Sequence, residues 1–351
     1  MKRIDNIFDR ICSLENLRKA DERARRGKGN SYGIRVHDRN REENLQRLHD
    51  QLMKGEYHTS EYTTFTIREP KERLIYRLPY YPDRILHHAI MLHLETVWVS
   101  VFTRNTYSCI KHRGIHKAVN DLKDALRSDP EGTRYCLKLD IRKFYPSIDH
   151  DVLKGIVRRK IKDERLLHLL DEIIDSAPGV PIGNYLSQYL ANLYLAYFDH
   201  WLMEKKGVKH YFRYADDMVI LAADKPSLHK LLIEIKEQLA ALKLEVKDNH
   251  QVFPVDDRGI DFLGYVFRHD YTRLRKSIKQ RIFRKAARIK HKPKEEKHRA
   301  MSTYMGWLKY CNSHRLKVKL NNRLNDEIFI RPQSPAADAI LSRQDSRQLQ
   351  H

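Results

Sequence analysis

The sequence predicts an α+β fold in which strands and helices are interleaved without forming regular βαβ units. Three observations support this prediction. Apolar residues recur at a helical period near the amino terminus, short strand-like runs occupy the middle of the chain, and a helical, basic stretch follows them. A length of 351 residues allows more than one subdomain, each around a sizeable core.

The elements are expected in the following order. A helical period predicts a helix within residues 3–26, and glycines within residues 25–33 end it. A second helix fits residues 39–53, and the chain beyond Arg268 is expected to be helical. The other predicted elements are a strand pair within 62–78, a helix at 82–98, a strand at 135–140, helices at 150–175 and 184–205, a hairpin at 208–222, a helix at 227–242 and a strand pair at 259–267.

Composition limits the class of protein. Lys and Arg number 67 against 46 Asp and Glu, a formal charge of +21. Clustered charge of this size indicates a polyanionic partner, because each neutralised phosphate releases counterions; a merely solvated basic surface is the alternative. The four cysteines lack a CxxC pair, which argues against a zinc module or a disulfide framework. Without a long apolar run or a signal core, we expect a soluble cytoplasmic protein with no membrane partner.

Three carboxylates form the candidate chemical centre. Asp216 and Asp217 are adjacent between two strand-like runs, and neighbours on a regular strand point to opposite faces. To serve one site they must lie at a hairpin tip. Asp140 ends an apolar strand-like run; alone, such a residue is more often a cap or a turn. Carboxylate oxygens bind Mg²⁺ together with substrate phosphates, so the three predict a two-metal phosphoryl-transfer centre in which they are the catalytic and metal-binding residues.

Four segments carry a resemblance to reverse transcriptases. Residues 139–148, 179–192 and 213–217 resemble, in order, the first, second and third palm motifs of that family, and Phe262, Leu263, Gly264 and Tyr265 resemble its primer grip. The resemblance runs from about residue 60 to 310. It implies a right-hand polymerase fold with fingers, a palm built as an antiparallel sheet with packed helices, and a helical thumb.

The same resemblance implies a division of the chain into four parts. Residues 1–60 would form an N-terminal helical extension, 61–268 the fingers and palm, and 269–330 a basic helical thumb. Residues 331–351 lack a periodic apolar face and are expected to be disordered.

Several residues are assigned to the incoming nucleotide by family position. Tyr145 would exclude the ribose 2′-hydroxyl, although a core tyrosine is the alternative. Lys71 and Arg73 would contact the triphosphate, and Gly183 and Gln188 belong to the second motif. That motif commonly reads Pro-Gln-Gly, but here Ile182 replaces the glutamine. Because isoleucine offers shape without hydrogen bonds, Ile182 is predicted to lower fidelity.

Two further sets of residues are weaker candidates. No lysine occupies the family position that protonates pyrophosphate; Lys247 and His250 are alternatives, with a surface role as the default. The residues predicted to follow duplex phosphates are Arg273, Arg275, Lys276, Lys279, Arg284 and Lys285.

The sequence therefore predicts an RNA-directed DNA polymerase that uses two Mg²⁺ ions, with Mn²⁺ as a substitute. Its partners would be an RNA template, a primer or cDNA strand and dNTPs. Ile182 and Ser187-Gln188 resemble the reverse transcriptases of diversity-generating retroelements, which miscopy template adenines and work with a small basic oligomeric accessory protein. A group II intron-type enzyme, an antiphage-defence reverse transcriptase and a non-catalytic RNA-binding scaffold are the alternatives.

Overall fold

The computed structural model describes residues 3–68 and 72–329. Lys71 and the predicted tail 331–351 lie outside the described residues. The chain forms two compact units. The first combines the described residues up to Ala118 with Glu131–Phe253, and the second combines Val119–Pro130 with the described residues from Pro254 onward.

Helices and strands are interleaved, as predicted. The helices are α1 Phe8–Cys12, α2 Leu14–Ala24, α3 Tyr32–Asp38, α4 Arg41–Lys54, α5 Ile85–Val99, α6 Ile115–Ser128, α7 His150–Arg158, α8 Glu164–Asp175, α9 Tyr185–His200, α10 Lys225–Ala241, α11 Val255–Arg258, α12 Lys276–Ile289, α13 Lys294–Lys309 and α14 His314–Leu324. The strands are β1 Thr63–Ile67, β2 Arg73–Arg77, β3 Tyr135–Asp140, β4 His210–Tyr214, β5 Asp217–Ala222, β6 Gln251–Pro254, β7 Ile260–Phe262, β8 Tyr265–Phe267 and β9 Thr272–Leu274.

The sheet of the first unit has the strand order β4-β5-β3-β6. Strand β5 is central and pairs antiparallel with both β3 and β4. Apolar side chains of the sheet, such as Leu137, Leu139 and Ile220, are buried in one core with residues of α7, α8, α9 and α10. The expected antiparallel sheet with packed helices is therefore present, and its β4–β5 hairpin lies at the predicted position.

A single carboxylate explains where two helices begin. The helix predicted at 150–175 is interrupted, because Asp163 caps α8 by accepting a hydrogen bond from the Leu166 amide at 3.2 Å. Its other oxygen accepts the amides of Ile7 and Phe8 at 2.7 and 2.9 Å, at the start of α1. Asp is favoured at such caps because it satisfies amides that have no partner within the helix.

A two-stranded antiparallel hairpin, β1–β2, extends the first unit. Thr63 lies opposite Arg77, and Ile67 lies opposite Arg73. The backbone amide of Tyr76 donates to the carbonyl of Ile182 at 2.8 Å, so β2 is tied to the segment that precedes α9.

The second unit contains a three-stranded sheet, β7-β8-β9, and the helices α12, α13 and α14. The expectation of helix throughout the chain beyond Arg268 is wrong at Thr272–Leu274, because β9 pairs with β8. Gly264 turns β7 into β8 with φ +87°, and a Cβ there would approach Ile278 and Trp307 to 2.6 and 2.7 Å. Only glycine meets both requirements.

Candidate active site

The structure brings the three predicted carboxylates together. Asp140, the last residue of β3, lies directly opposite Asp217, the first residue of β5. Ala215 and Asp216 form the turn between β4 and β5, and Ala215 adopts a left-handed conformation with φ +55°. The turn releases the adjacent aspartates from the alternation of a regular strand, which is the geometry that one shared site requires.

The electrostatic environment of Asp216 disfavours its ionised form. Burial raises its pKa to about 6, and the neighbouring charge of Asp140 acts in the same direction. Two carboxylates this close cannot both be ionised without cost. A cation between them would remove that cost.

Two lysines already supply positive charge to this centre. The Lys247 ammonium donates to Oδ1 of Asp140, and the Lys138 ammonium forms an ion pair with Oδ1 of Asp217. The Lys247 side chain therefore contacts a predicted metal ligand directly. His250 does not: its Nδ1 contacts the Lys247 backbone carbonyl at 2.9 Å. Lys138 was not predicted as a site residue, although its spacing of two from Asp140 on β3 places both side chains on the same face of the sheet.

The donor chemistry fits Mg²⁺, since hard carboxylate oxygens from two chain segments converge. Over residues 3–68 and 72–329, however, no cluster of three His, Cys, Asp or Glu side chains is arranged to hold a metal ion. The lysine contacts with Asp140 and Asp217 neutralise two of the carboxylates. The two-ion site thus stays a prediction, in which a divalent ion would compete with these lysines.

Tyr145 borders the carboxylate centre. Burial raises the pKa of its hydroxyl, and the charge of Asp216 acts in the same direction. Its backbone carbonyl accepts the amide of Val180 at 2.9 Å. A Cβ at Gly179 would overlap this carbonyl, so the second motif packs closely against the first.

The other predicted nucleotide residues lie around β2. Ile182 is half-buried, and Gly183 has φ +128° with its Cα against the Tyr76 carbonyl, where a Cβ would clash. Arg73 is exposed on β2, and it lies near enough to Tyr145 for its positive charge to oppose, in part, the rise in the pKa of that hydroxyl. Gln188 lines a cavity that Gly183 and residues of β2 also line.

That cavity, of about 410 Å³, lies between α2, β2, α5 and α9 and was not anticipated from the sequence. Its lining is basic. The positive charge of Arg84 lowers the pKa of Lys28, and that of Arg77 adds to burial in lowering the pKa of Arg84. The signal available in the sequence was the glycine-interrupted basic run that follows α2. The basic residues of the lining are Arg23, Arg26, Lys28, Arg77 and Arg84.

Mutual repulsion in this cavity is not compensated. Among the described residues, no carboxylate forms an ion pair with Lys28, Arg77 or Arg84, whereas Arg23 pairs with Glu95. The cavity therefore presents uncompensated positive charge, and we name it the basic cavity.

The predicted phosphate-binding residues of the second unit lie on β9, on α12 and, in the case of Arg275, between the two. Arg273 is exposed and stacks over Tyr271, with 4.3 Å from its guanidinium carbon to the ring centroid. Arg275 pairs with Asp261, with 2.7 Å between Nε and Oδ1. Lys276, Lys279 and Arg284 line one groove of about 480 Å³, together with Phe283. Lys285 lies on α12 outside that groove.

The segment predicted as a primer grip forms the β7–β8 turn. Phe262 and Tyr265 are buried within the second unit, and the Tyr265 hydroxyl donates to the Trp307 carbonyl at 3.0 Å. Leu263 and Gly264 form the turn itself, both with positive φ. The primer-grip role stays a prediction that would use the turn backbone.

The fold and the carboxylate hairpin define the palm of a nucleic-acid polymerase. Residues 68–267 match the family described as reverse transcriptase (RNA-dependent DNA polymerase), and the chain belongs to that family. The predicted right-hand polymerase fold and RNA-directed DNA polymerase class are thereby confirmed. The diversity-generating subgroup is not confirmed and stays a hypothesis.

Known relatives are distant. Protein YkfC of Escherichia coli K12 is 26% identical over 267 residues, which cover 63% of this chain and 70% of YkfC. The group II intron-encoded protein LtrA of Lactococcus lactis is 25% identical over 178 residues, but these cover 29% of LtrA. A telomerase structure from Candida tropicalis shares 11% identity with a TM-score of 0.45, over 60% of this chain and 48% of that one. No helix in the described part of the chain is long and apolar enough to cross a bilayer.

Proposed function

We propose that this chain extends a primer 3′-hydroxyl with dNTPs on an RNA template. In the proposal, Asp140, Asp216 and Asp217 hold two Mg²⁺ ions. Bound there, the metal would lower the pKa of the attacking hydroxyl and stabilise the leaving pyrophosphate. The observation that carries the proposal is the register of Asp140 opposite Asp217, with Asp216 at the adjoining turn.

The chain's own residues supply position and charge. Tyr145 lies beside Asp216, where a ring can exclude a 2′-hydroxyl. Arg73 lies on β2, and Gly183 helps to line the basic cavity, so both sources of positive charge lie close to the second motif. Arg suits such positions because its fork binds phosphate oxygens bidentately.

Primer extension on poly(rA)/oligo(dT) tests this function, with Asp216→Ala as the control. We expect dTMP incorporation by the wild-type chain and none by the variant. Equal extension by both proteins, or none by the wild type, would contradict the proposal.

We further propose that the chain is error-prone at template adenines, as enzymes of diversity-generating retroelements are, and works with a small basic accessory protein. Ile182 supports this, because it is half-buried beside β2 and its side chain cannot hydrogen-bond a nascent base pair. Sequencing cDNA from a template of balanced composition, with and without co-expressed neighbouring genes, tests it.

A group II intron-type enzyme is the second candidate. The similarity to LtrA and to a relative named nuclear intron maturase 4 of Arabidopsis thaliana favours it, although both matches cover less than a third of those proteins. An error spectrum spread evenly over the four template bases would favour this candidate over the first.

A further inference from the structure

One ion pair below the carboxylate hairpin is completely buried. Asp199 on α9 and Arg213 on β4 both have side chains with 0% exposure. The Arg213 Nε lies 2.8 and 3.0 Å from the two carboxylate oxygens. The Tyr211 hydroxyl donates to the same carboxylate at 2.7 Å, and the Thr106 hydroxyl does so at 3.0 Å.

The remaining N–H groups of Arg213 are also engaged. Nη1 donates to the Ala215 carbonyl at 3.1 Å and to the Asn192 side-chain oxygen at 3.3 Å. Nη2 reaches the Thr106 hydroxyl at 3.4 Å. A guanidinium has five N–H donors in a rigid fork, whereas a lysine ammonium has three at one point, so lysine cannot reproduce this set.

Burying an ion pair is a poor way to gain stability, because desolvation offsets much of the attraction. A geometric role accounts better for this one. The bond to Ala215 falls on the residue with φ +55°, a left-handed conformation that residues with a Cβ disfavour. Asp216 and Asp217 follow directly, so whatever holds Ala215 also directs their carboxylates.

The same pair joins three elements around that turn. The Arg213 amide donates to the Asn105 carbonyl at 3.0 Å, and the Tyr107 amide donates to the Arg213 carbonyl at 3.1 Å. The Asn192 side chain on α9 donates to the Ser108 carbonyl at 2.8 Å. The loop around 105–108, helix α9 and the β4–β5 hairpin therefore have one shared buried junction.

We propose that the Asp199–Arg213 pair is a positioning device that locks the left-handed turn at Ala215 and thereby fixes Asp216 and Asp217 opposite Asp140. Neither residue is catalytic, since both act through the hairpin backbone. The inference rests on the proposed polymerase function for its kinetic test but not for its metal-binding test.

Arg213→Lys keeps the charge and removes the fork. We expect kcat for primer extension to fall about 100-fold, because a misplacement near 1 Å costs about that much. At saturating Mg²⁺ the KM for dTTP, and in EDTA the affinity for primer–template, should stay within about threefold of wild type, since the residues that contact these ligands are unchanged. Arg158→Lys, which alters the Arg158–Asp171 pair between α7 and α8, is the matched control and should leave kcat unchanged.

Ala215→Gly supplies a readout that a purely structural role would not move. Glycine adopts the left-handed turn without the Cβ penalty, so in the Arg213→Lys background it should recover about fivefold in kcat. If the double variant and Arg213→Lys alone have the same kcat, Arg213 does not act by holding the turn at Ala215.

Binding of Mn²⁺ to the free protein, followed by electron paramagnetic resonance, is independent of catalysis. We expect Arg213→Lys to bind Mn²⁺ about tenfold more weakly than wild type, because carboxylate geometry sets the affinity. Equal Mn²⁺ affinity and equal kcat would overturn the positioning role. An inactive wild type that still shows the Mn²⁺ difference would overturn only the polymerase function.

Thr106→Val is the second variant, for the case in which Arg213→Lys fails to fold. It removes the hydroxyl that contacts both Asp199 and Arg213 while it keeps the shape of the side chain. Unchanged kcat and unchanged Mn²⁺ affinity in Thr106→Val would likewise overturn the positioning role.

Discussion

Lys247 and Asp140 are joined twice. The Lys247 backbone amide donates to the Asp140 carbonyl at 2.9 Å, and its ammonium donates to the Asp140 carboxylate. A lysine whose backbone is anchored to a strand end cannot move far from that site. This arrangement favours Lys247 over His250 as the proton donor to pyrophosphate.

Lys247→Met should therefore lower kcat by about 100-fold, the usual scale for loss of a general acid. His250→Ala should stay within about threefold of wild type, because that ring contacts the Lys247 carbonyl and Lys236 rather than a carboxylate of the centre. Steady-state extension at saturating dTTP measures both. If kcat falls further in His250→Ala than in Lys247→Met, His250 rather than Lys247 is the proton donor to pyrophosphate.

Removing the charge of Asp216 should abolish primer extension and raise the free energy of unfolding. Burial and Asp140 together raise its pKa, which marks an unfavourable ionised state at neutral pH. Asp216→Asn should abolish extension and raise the free energy of unfolding in metal-free buffer at pH 7 by about 1–3 kcal/mol. Urea titration followed by circular dichroism measures the gain. The matched variant Asp224→Asn removes an exposed charge but keeps the side-chain oxygen that caps α10, so its free energy of unfolding should change by less than about 1 kcal/mol.

Ile182→Gln should reduce misincorporation opposite template adenine by about tenfold, because a buried amide penalises mispairs that leave it without a partner. Ile182→Val keeps the apolar surface and is the control. Deep sequencing of cDNA from one template measures both spectra. The hypothesis fails if Gln and Val variants show the wild-type pattern.

The basic cavity should act through phosphate charge. Arg84→Gln is expected to weaken RNA binding at all sequences alike and to reduce the slope of log K against log salt by about 1. Fluorescence anisotropy over a range of KCl concentrations measures that slope. Arg47→Gln is the control, since Arg47 is exposed on α4 and pairs with Glu43 at 3.1 Å. Equal slopes for the two variants would show that the basic cavity does not contact RNA phosphates.

His87 should make the first unit acid-sensitive. It is buried on α5, neither ring nitrogen has a hydrogen-bond partner among the described residues, and burial lowers its pKa from 6.5 to about 4. Between those values the unfolded chain binds a proton that the folded chain does not, so stability is greatest above pH 6.5 and falls as the pH drops towards 4.

The contribution of His87 to this fall should amount to about 3 kcal/mol, and His88, whose pKa burial also lowers to about 4, should add to it. His87→Leu should therefore reduce the slope of this part of the profile, whereas replacement of the exposed His229 should not. Urea midpoints measured from pH 7.5 to pH 4 test the sign and the size. A profile that keeps its slope in His87→Leu would assign the acid sensitivity to other groups.

Local patterns were sufficient for the carboxylate centre. A turn is the only way for two consecutive aspartates to share one site, and a strand ending in Asp140 could reach them through a sheet. The order of motifs then indicated the family, because each motif is a short contiguous run that can be recognised without knowing which distant residues it contacts. The break at Asp163 and the strand β9 were missed, since a distant amide partner or strand partner decides each of them.

What the sequence alone determined is thus the fold class, the polymerase family and the position of the three aspartates along the chain. Only the tertiary structure decided how their charge is balanced. Lys138 reaches Asp217 across the sheet, and Lys247 reaches Asp140 from 107 residues further along the chain. Asp199 meets Arg213 inside the core, and separate segments bring cations to the basic cavity. Electrostatic energy depends on distance and burial in space, and neither can be read from spacing along the chain.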